Sequence, residues 1–393
     1  MPLPLYLLAV AVFAMGTSEF MLAGLLPAIA SDLDVTVGAA GALTSAFAIG
    51  MVVGAPLTAV LARALPARWG LLGSVLLFTA AHGAGATAPN LAVLLATRVV
   101  AALANAAFLA LALTTAAALV PADRKGRALA VLLSGTTVAT VIGVPAGAAL
   151  GSALGWRAVF WAVAALCLPA ALGVLAGVPG GRAPSETAER PAVRAEFARL
   201  RSPRLGTVML LAALVNAATF AGFTYLAPVV TATAGLDRSW VPVVLVLFGA
   251  GSFAGVTTAG RLSDRYPVPV LATGGALLLA GWPALALLAD RPAALLALVF
   301  VQGALSFAVG GTLITRVLYE AAGAPALAGA CATAALNLGA AAGPLAAAAT
   351  LTGTAGARGP FWLSALLIAL ALLLAATAWT APRTERGGTE AGG

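Results

Sequence analysis

The chain predicts an all-α integral membrane protein, with twelve transmembrane helices in two six-helix halves related as a parallel repeat. Three observations carry that expectation. Apolar residues make up 62% of the 393 positions and charged residues 9%, whereas a soluble domain carries about a quarter charged residues. The apolar residues gather into runs of about 20, each enough to cross a bilayer. Finally, the sequence repeats itself at an offset of 201 residues: Pro27 recurs as Pro228, Gly50 and Gly54 as Gly251 and Gly255, Pro66 and Gly73 as Pro267 and Gly274. Late in each half Gly155, Arg157, Phe160 and Trp161 recur as Gly356, Arg358, Phe361 and Trp362. Internal symmetry of this kind marks transporters whose site lies between the repeats near the middle of the bilayer.

The runs cover residues 5–30, 39–62, 70–88, 91–119, 128–152 and 157–178 in the first half. In the second they cover 205–233, 240–260, 268–289, 293–318, 325–352 and 359–381. Each is expected to be helical, because backbone groups in lipid need partners within their own segment. The first run is too long for a signal-peptide core and is read as a retained helix. The domain division is then 1–179 for the first bundle, 180–204 for a polar linker, 205–382 for the second bundle and 383–393 for a tail. A short interfacial helix is expected at 192–200.

Charge placement orients the chain. Of 21 basic residues, sixteen fall in the loops and tail on the side of the termini, including Arg63, Arg68, Lys125, Arg194, Arg261 and Arg383. Four (Arg157, Arg238, Arg291, Arg358) fall on the opposite side, and Arg98 lies within a span. That asymmetry predicts cytoplasmic termini in a multi-pass cell membrane protein. The net charge of +8 is thereby explained as topology, and no nucleic-acid partner is expected. Cys167 and Cys331 both fall in spans, so no disulfide framework is expected. The Ala- and Arg-rich composition hints at a high-GC bacterial genome. No Gly-rich phosphate loop followed by Lys is present, and Lys125 is the only lysine. Gly249-x-Gly251-x-x-x-Gly255 has the wrong spacing for a dinucleotide loop and reads as close helix packing. Energy must therefore come from an ion gradient or from the substrate's own. No enzyme activity, cofactor or metal is expected.

Two charges stand inside the spans. Glu19, in Gly16-Thr-Ser-Glu-Phe20, is the one carboxylate placed deep in the membrane, and a charge there costs on the order of 3 kcal/mol. It is the candidate group for binding and releasing a proton; the structural alternative is a neutral Glu bonding a neighbouring helix. Arg98 in the fourth span is the candidate sensor of that proton, directly or through water; alternatively it ties its helix to others. At the 201 offset Glu19 corresponds to Phe220 and Arg98 to Val299. Proton handling is thus expected in the first half, with the second contributing mainly shape and apolar contact.

The fifth span contains Gly135 and Gly143-Val-Pro-Ala-Gly147. Its glycines allow close approach and Pro145 is expected to bend the helix, although ordinary small-residue packing explains the same residues. After the eighth span, Gly260-Arg-Leu-Ser-Asp264-Arg265 places an acid and a base at the membrane edge, where they either gate or are simply solvated. His82, the only histidine, late in the third span, reads as a packing or interfacial residue, since a lone His cannot make a metal site. Asn105, Asn216, Phe220, Phe223, Tyr225 and Asn337 are candidate cavity residues, or bridges between helices.

Together these residues resemble the major facilitator superfamily, in its twelve-span drug:proton antiporter branch. The likeness lies in Gly16-Thr-Ser-Glu-Phe20 through Leu26-Pro-Ala-Ile29 and Asp32-Leu-Asp34, in Leu94-x-x-x-Arg98, in Gly143-Val-Pro-Ala-Gly147, in Gly155-Trp-Arg157-x-x-Phe160 and in Gly260-x-x-x-Asp264-Arg265. Two departures stand out. The Gln-Gly that usually follows the span-four Arg is Ala101-Ala102 here, and Arg63 occupies the first-half position of Asp264. Within the branch the chain is most similar to actinomycete chloramphenicol-resistance exporters. The resemblance implies proton-driven expulsion of a small antibiotic, conferring resistance, by a monomer whose partners are drug, protons and lipid. An exporter or importer of sugars or other metabolites, and a non-transporting membrane sensor, are the alternatives.

Overall fold

In the computed structural model, which describes residues 2–61, 66–121, 124–178, 202–263, 265–321 and 325–380, twelve helices are long and apolar enough to cross a membrane. In the first half these are α1 (Leu3–Phe20, resuming as Leu22–Asp32), α2 (Val37–Leu61), α3 (Ala67–Ala86), α4 (Leu91–Ala118), α5 (Lys125–Leu154) and α6 (Trp156–Gly177). The second half comprises α7 (Pro203–Thr224), α8 (Trp240–Leu262), α9 (Pro267–Leu288), α10 (Pro292–Glu320), α11 (Pro325–Thr350) and α12 (Gly359–Thr380). Every run predicted from hydropathy corresponds to one of these helices. The expected helix at 192–200 and the tail lie outside the described residues, as does Asp264.

Local sequence explains where the helices start and stop. Asn90 caps α4 by accepting from the Val93 amide at 3.0 Å. Proline opens α7, α9 and α10, where its missing N–H costs nothing. Gly155 (φ 83°) and Gly356 (φ 51°) turn the chain between α5 and α6 and before α12, a conformation a side chain would strain. Their recurrence in the repeat therefore has a backbone cause. Arg157 uses the first of these turns: it pairs with Asp32, donates to the Ala88 carbonyl at 3.3 Å and stacks on Trp156.

Three helices that the hydropathy reads as continuous are interrupted. α1 breaks at Met21, six residues before Pro27. α5 contains a wider π turn at Ala139–Gly143. Pro145 has no N–H to offer the preceding turn, and the helix adjusts its register just ahead of it. α7 breaks at Tyr225 and ends in a second π turn, Val229–Thr233, directly after Pro228.

Each half has its own core, and each core borrows from the other half. The first is built on Phe47, Phe78, Phe108 and Phe160 and takes in Tyr225 and Ala347. The second is built on Phe248, Trp282 and Phe361 and takes in Ala23, Val144 and Ala148. Where the halves meet, glycines set the spacing. A Cβ on Gly249 of α8 would collide with the Thr140 carbonyl of α5, and one on Gly41 of α2 with the Tyr225 hydroxyl. Gly38 of α2 lies against Ala348 of α11. These contacts run from mid-membrane to the face opposite the termini.

Candidate functional site

The α5 glycines place the helix that carries Glu19. A Cβ at Gly135 would strike the Ala9 carbonyl, and one at Gly143 would strike Thr17 Oγ1. Gly147 lies across from Met21 and Val159. Gly135 and Gly143 are therefore where α5 lies tightly on α1 ahead of the turn bearing Glu19, while Gly147 makes ordinary contact with α6 and Met21. Bulk at the first two would push α1 away.

Glu19 is half-buried on that turn. Arg98, 1% exposed, reaches the same turn from α4 but spends its bonds elsewhere. Nη1 donates to Ser18 Oγ at 2.7 Å and Nη2 to the Ser18 carbonyl at 2.8 Å, and the guanidinium lies over the Phe47 ring at 4.4 Å. Among the described residues no ion pair joins Arg98 to Glu19, and Arg98 Nε has no hydrogen-bond partner. His82 completes the node. Its Nε2 is 2.7 Å from Ser18 Oγ, its Nδ1 is 2.9 Å from the Phe78 carbonyl, and Phe78 and Phe160 flank its ring at 4.2 and 5.7 Å. A histidine expected to pack is thus wired to the intramembrane arginine through one hydroxyl.

Next to Glu19, Phe20 begins an aromatic row that crosses between the halves. Its ring lies 5.7 Å from Phe220 and 6.2 Å from Phe223. Phe223 meets Phe248 at 4.6 Å, and Phe248 meets Phe307 at 6.2 Å. Phe220 and Phe223, expected in the cavity, are its central members.

The polar candidates are placed differently. Asn216 donates to the Leu336 carbonyl of α11 at 2.6 Å, and Asn337 donates within α11 to Thr333 at 3.0 Å. Asn105 points its amide at Met51 Sδ, 3.6 Å away. Tyr225 is fully buried and donates to the Pro344 carbonyl at 3.0 Å, so it wedges between α7, α11 and α2. Gly260 and Arg265 are exposed at the end of α8 and just beyond it, with Arg265 over the Tyr266 ring.

The second half holds a polar node that sequence reasoning did not single out. Gln302 of α10 and Trp282 of α9, 1% and 2% exposed, line a cavity of about 10 Å³ with Gly222, Phe223, Phe248 and Val299. Gln302 Oε1 and Nε2 and Trp282 Nε1 have no hydrogen-bond partner among the described residues. A signal existed: at the 201 offset Gln302-Gly303 fall on Ala101-Ala102, three residues beyond Arg98.

Comparison with known proteins agrees with this architecture. The family model of the Major Facilitator Superfamily matches residues 8–267 and 209–393. The chain is 72% identical over 375 residues to the chloramphenicol resistance protein of Streptomyces lividans, covering 95% of this chain and 96% of that one. It is 35% identical to the inner membrane transport protein YdhP of Escherichia coli K12, covering 94% of each. Among solved structures, an inward-facing, unoccupied bacterial homolog of the human lysosomal transporter Spinster superposes with a TM-score of 0.75 at 16% identity, covering 95% of this chain and 94% of that one. The chain belongs to the major facilitator superfamily.

Proposed function

We propose that this protein is a proton-driven exporter of chloramphenicol that protects the cell by alternately opening its two halves to either side of the membrane. The observation that carries the substrate is the 72% identity, over 95% of the chain, with a chloramphenicol resistance protein. The site is consistent with it. A neutral aromatic amphiphile needs an apolar, ring-lined wall with few hydrogen-bonding groups, and the row from Phe20 to Phe307 supplies one.

In this reading the termini are cytoplasmic, as the basic loops suggest. Glu19 takes a proton from outside as drug leaves and releases it inside as drug enters. Moving one charge through the potential supplies about 2.3 kcal/mol per 100 mV, and the proton gradient adds to that. Contacts such as Gly38–Ala348 and Gly41–Tyr225 then close the outer side, and Tyr225 is a wedge to be withdrawn when that side opens. Gly260, Asp264 and Arg265 are proposed to latch the inner edge when that side is closed.

The test is accumulation of labelled chloramphenicol in a sensitive bacterial host, with and without the protein, before and after an uncoupler. Low accumulation that rises on uncoupling is the expected result. Equal accumulation with and without protein confirmed in the membrane would sink the substrate assignment.

A further inference from the structure

We propose that His82 is a positioning residue for proton coupling: through the Ser18 hydroxyl it holds the Arg98 guanidinium beside Glu19 but not on it. The inference rests on the reading of Glu19 as the proton carrier.

With a neutral imidazole, the hydrogen-bond directions in the node follow from its partners. The Phe78 carbonyl can only accept, so His82 Nδ1 carries the hydrogen at 2.9 Å and Nε2 presents a lone pair. Arg98 Nη1 can only donate, so Ser18 Oγ accepts from it at 2.7 Å. The Ser18 hydroxyl hydrogen then has one place to go, His82 Nε2, 2.7 Å away. The chain of donors runs Arg98 to Ser18 to His82. The imidazole itself is fixed between Phe78 and Phe160. His82 therefore orients Ser18 as an acceptor toward Arg98, and the Ser18 carbonyl takes the second guanidinium nitrogen at 2.8 Å.

The consequence lies at the next residue. A buried carboxylate paired directly with a guanidinium is stabilised as the anion and resists protonation. With Arg98 bonded twice to Ser18 and stacked on Phe47, Glu19 can exchange its proton without a buried ion pair having to break. Among the described residues, Arg98 and His82 are the charged or titratable side chains at this node. The other ionisable groups on the helices packed against this node (Arg68 on α3, Lys125 and Arg127 on α5, Arg157 and Cys167 on α6) lie away from the Glu19 turn, at helix ends or in the α6 core. Remove His82 and Ser18 can turn away, releasing Arg98 toward Glu19.

The experiment is drug-dependent proton movement in everted membrane vesicles, measured with chloramphenicol across a pH series. His82→Leu and Ser18→Ala are expected to move the pH midpoint to lower pH by about one unit. His82→Gln, whose amide oxygen can accept from Ser18 where Nε2 did, is expected to stay close to the parent. Glu19→Gln serves as the control for the underlying reading and should show no drug-dependent proton movement. A parental midpoint in both His82→Leu and Ser18→Ala, with Glu19→Gln inactive, overturns the role of His82 and leaves the proton carrier standing. Equal displacement in His82→Leu and His82→Gln also overturns it, since only a structural role would ignore the retained acceptor. Full coupling in Glu19→Gln removes the reading and the inference together. Should His82→Leu fail to reach the membrane, Ser18→Ala carries the same expectation alone.

Discussion

The two halves build one aromatic frame around different polar groups. Phe47 and Phe248 occupy equivalent positions in the repeat, as do Phe160 and Phe361. In the first half Phe47 stacks on Arg98 and Phe160 flanks His82. In the second, Phe248 lies tilted against Phe223, and Phe361 stacks on Trp282 at 5.9 Å between rings. Val299 stands where Arg98 does in the first half, and among the described residues lining the small cavity Gln302 and Trp282 are the polar side chains. One half thus carries a charged node whose guanidinium is bonded through both terminal nitrogens, and the other a neutral one whose amide atoms find no partner among the described residues. The same scaffold tolerates both because helix packing is set by the repeated glycines and rings, leaving a few inward positions to carry chemistry.

The comparison is tested most severely by Arg98→Leu. It removes a buried cation, two hydrogen bonds and a ring stack at once. Uphill chloramphenicol export is expected to fall by at least about tenfold, a factor that 1.4 kcal/mol already produces, and the pH dependence of what remains should change. If export keeps its parental rate and pH profile, the charge asymmetry between the halves has no part in transport.

Gly249→Val should come next. Its Cβ would meet the Thr140 carbonyl across the interface between the halves, and overpacking of this kind costs about 1–3 kcal/mol. The cost falls on the arrangement in which the halves close against each other at α5 and α8. Export should drop several-fold with the pH midpoint unmoved, which separates a packing defect from a proton defect in the same vesicle assay.

Tyr225→Phe is smaller. It deletes the hydrogen bond to the Pro344 carbonyl, worth about 0.5–1.5 kcal/mol, while keeping the ring. Thermal unfolding in detergent should shift down by a few degrees at most. A larger loss would mean that the hydroxyl holds the closure of α7 against α2 and α11 rather than trimming it.

What the sequence made legible follows from cost. Twelve spans were readable because lipid admits few other backbone solutions. Glu19 and Arg98 were readable because charges in that setting are expensive. Ser18 was not: a serine in an apolar helix usually bonds its own backbone, and its partners here lie 64 and 80 residues away. His82 does pack, between Phe78 and Phe160, but its bond to Ser18 was not legible, since a lone histidine announces no partner. Asn105, Asn216, Tyr225 and Asn337 were legible as polar groups in spans, but whether each would face open space or another helix depended on rotation about axes that hydropathy does not fix. Neither were the breaks at Met21 and Tyr225, which lie away from the prolines that accompany them.

The finest test is Gln302→Leu, because it asks whether the second node does anything beyond filling space. Both amide atoms of Gln302 lack partners among the described residues, and the adjoining cavity of about 10 Å³ is at the lower limit for one water. An unsatisfied buried amide costs about 1–3 kcal/mol, so leucine of similar volume should leave the melting temperature unchanged or raise it. The pH profile of export should match the parent, because no titratable group lines the cavity. If the variant instead melts lower, an ordered water bridges Gln302 and Trp282, and the node is satisfied through solvent. If the pH midpoint moves, the halves are not divided into a charged and a neutral member, and proton handling extends across the repeat.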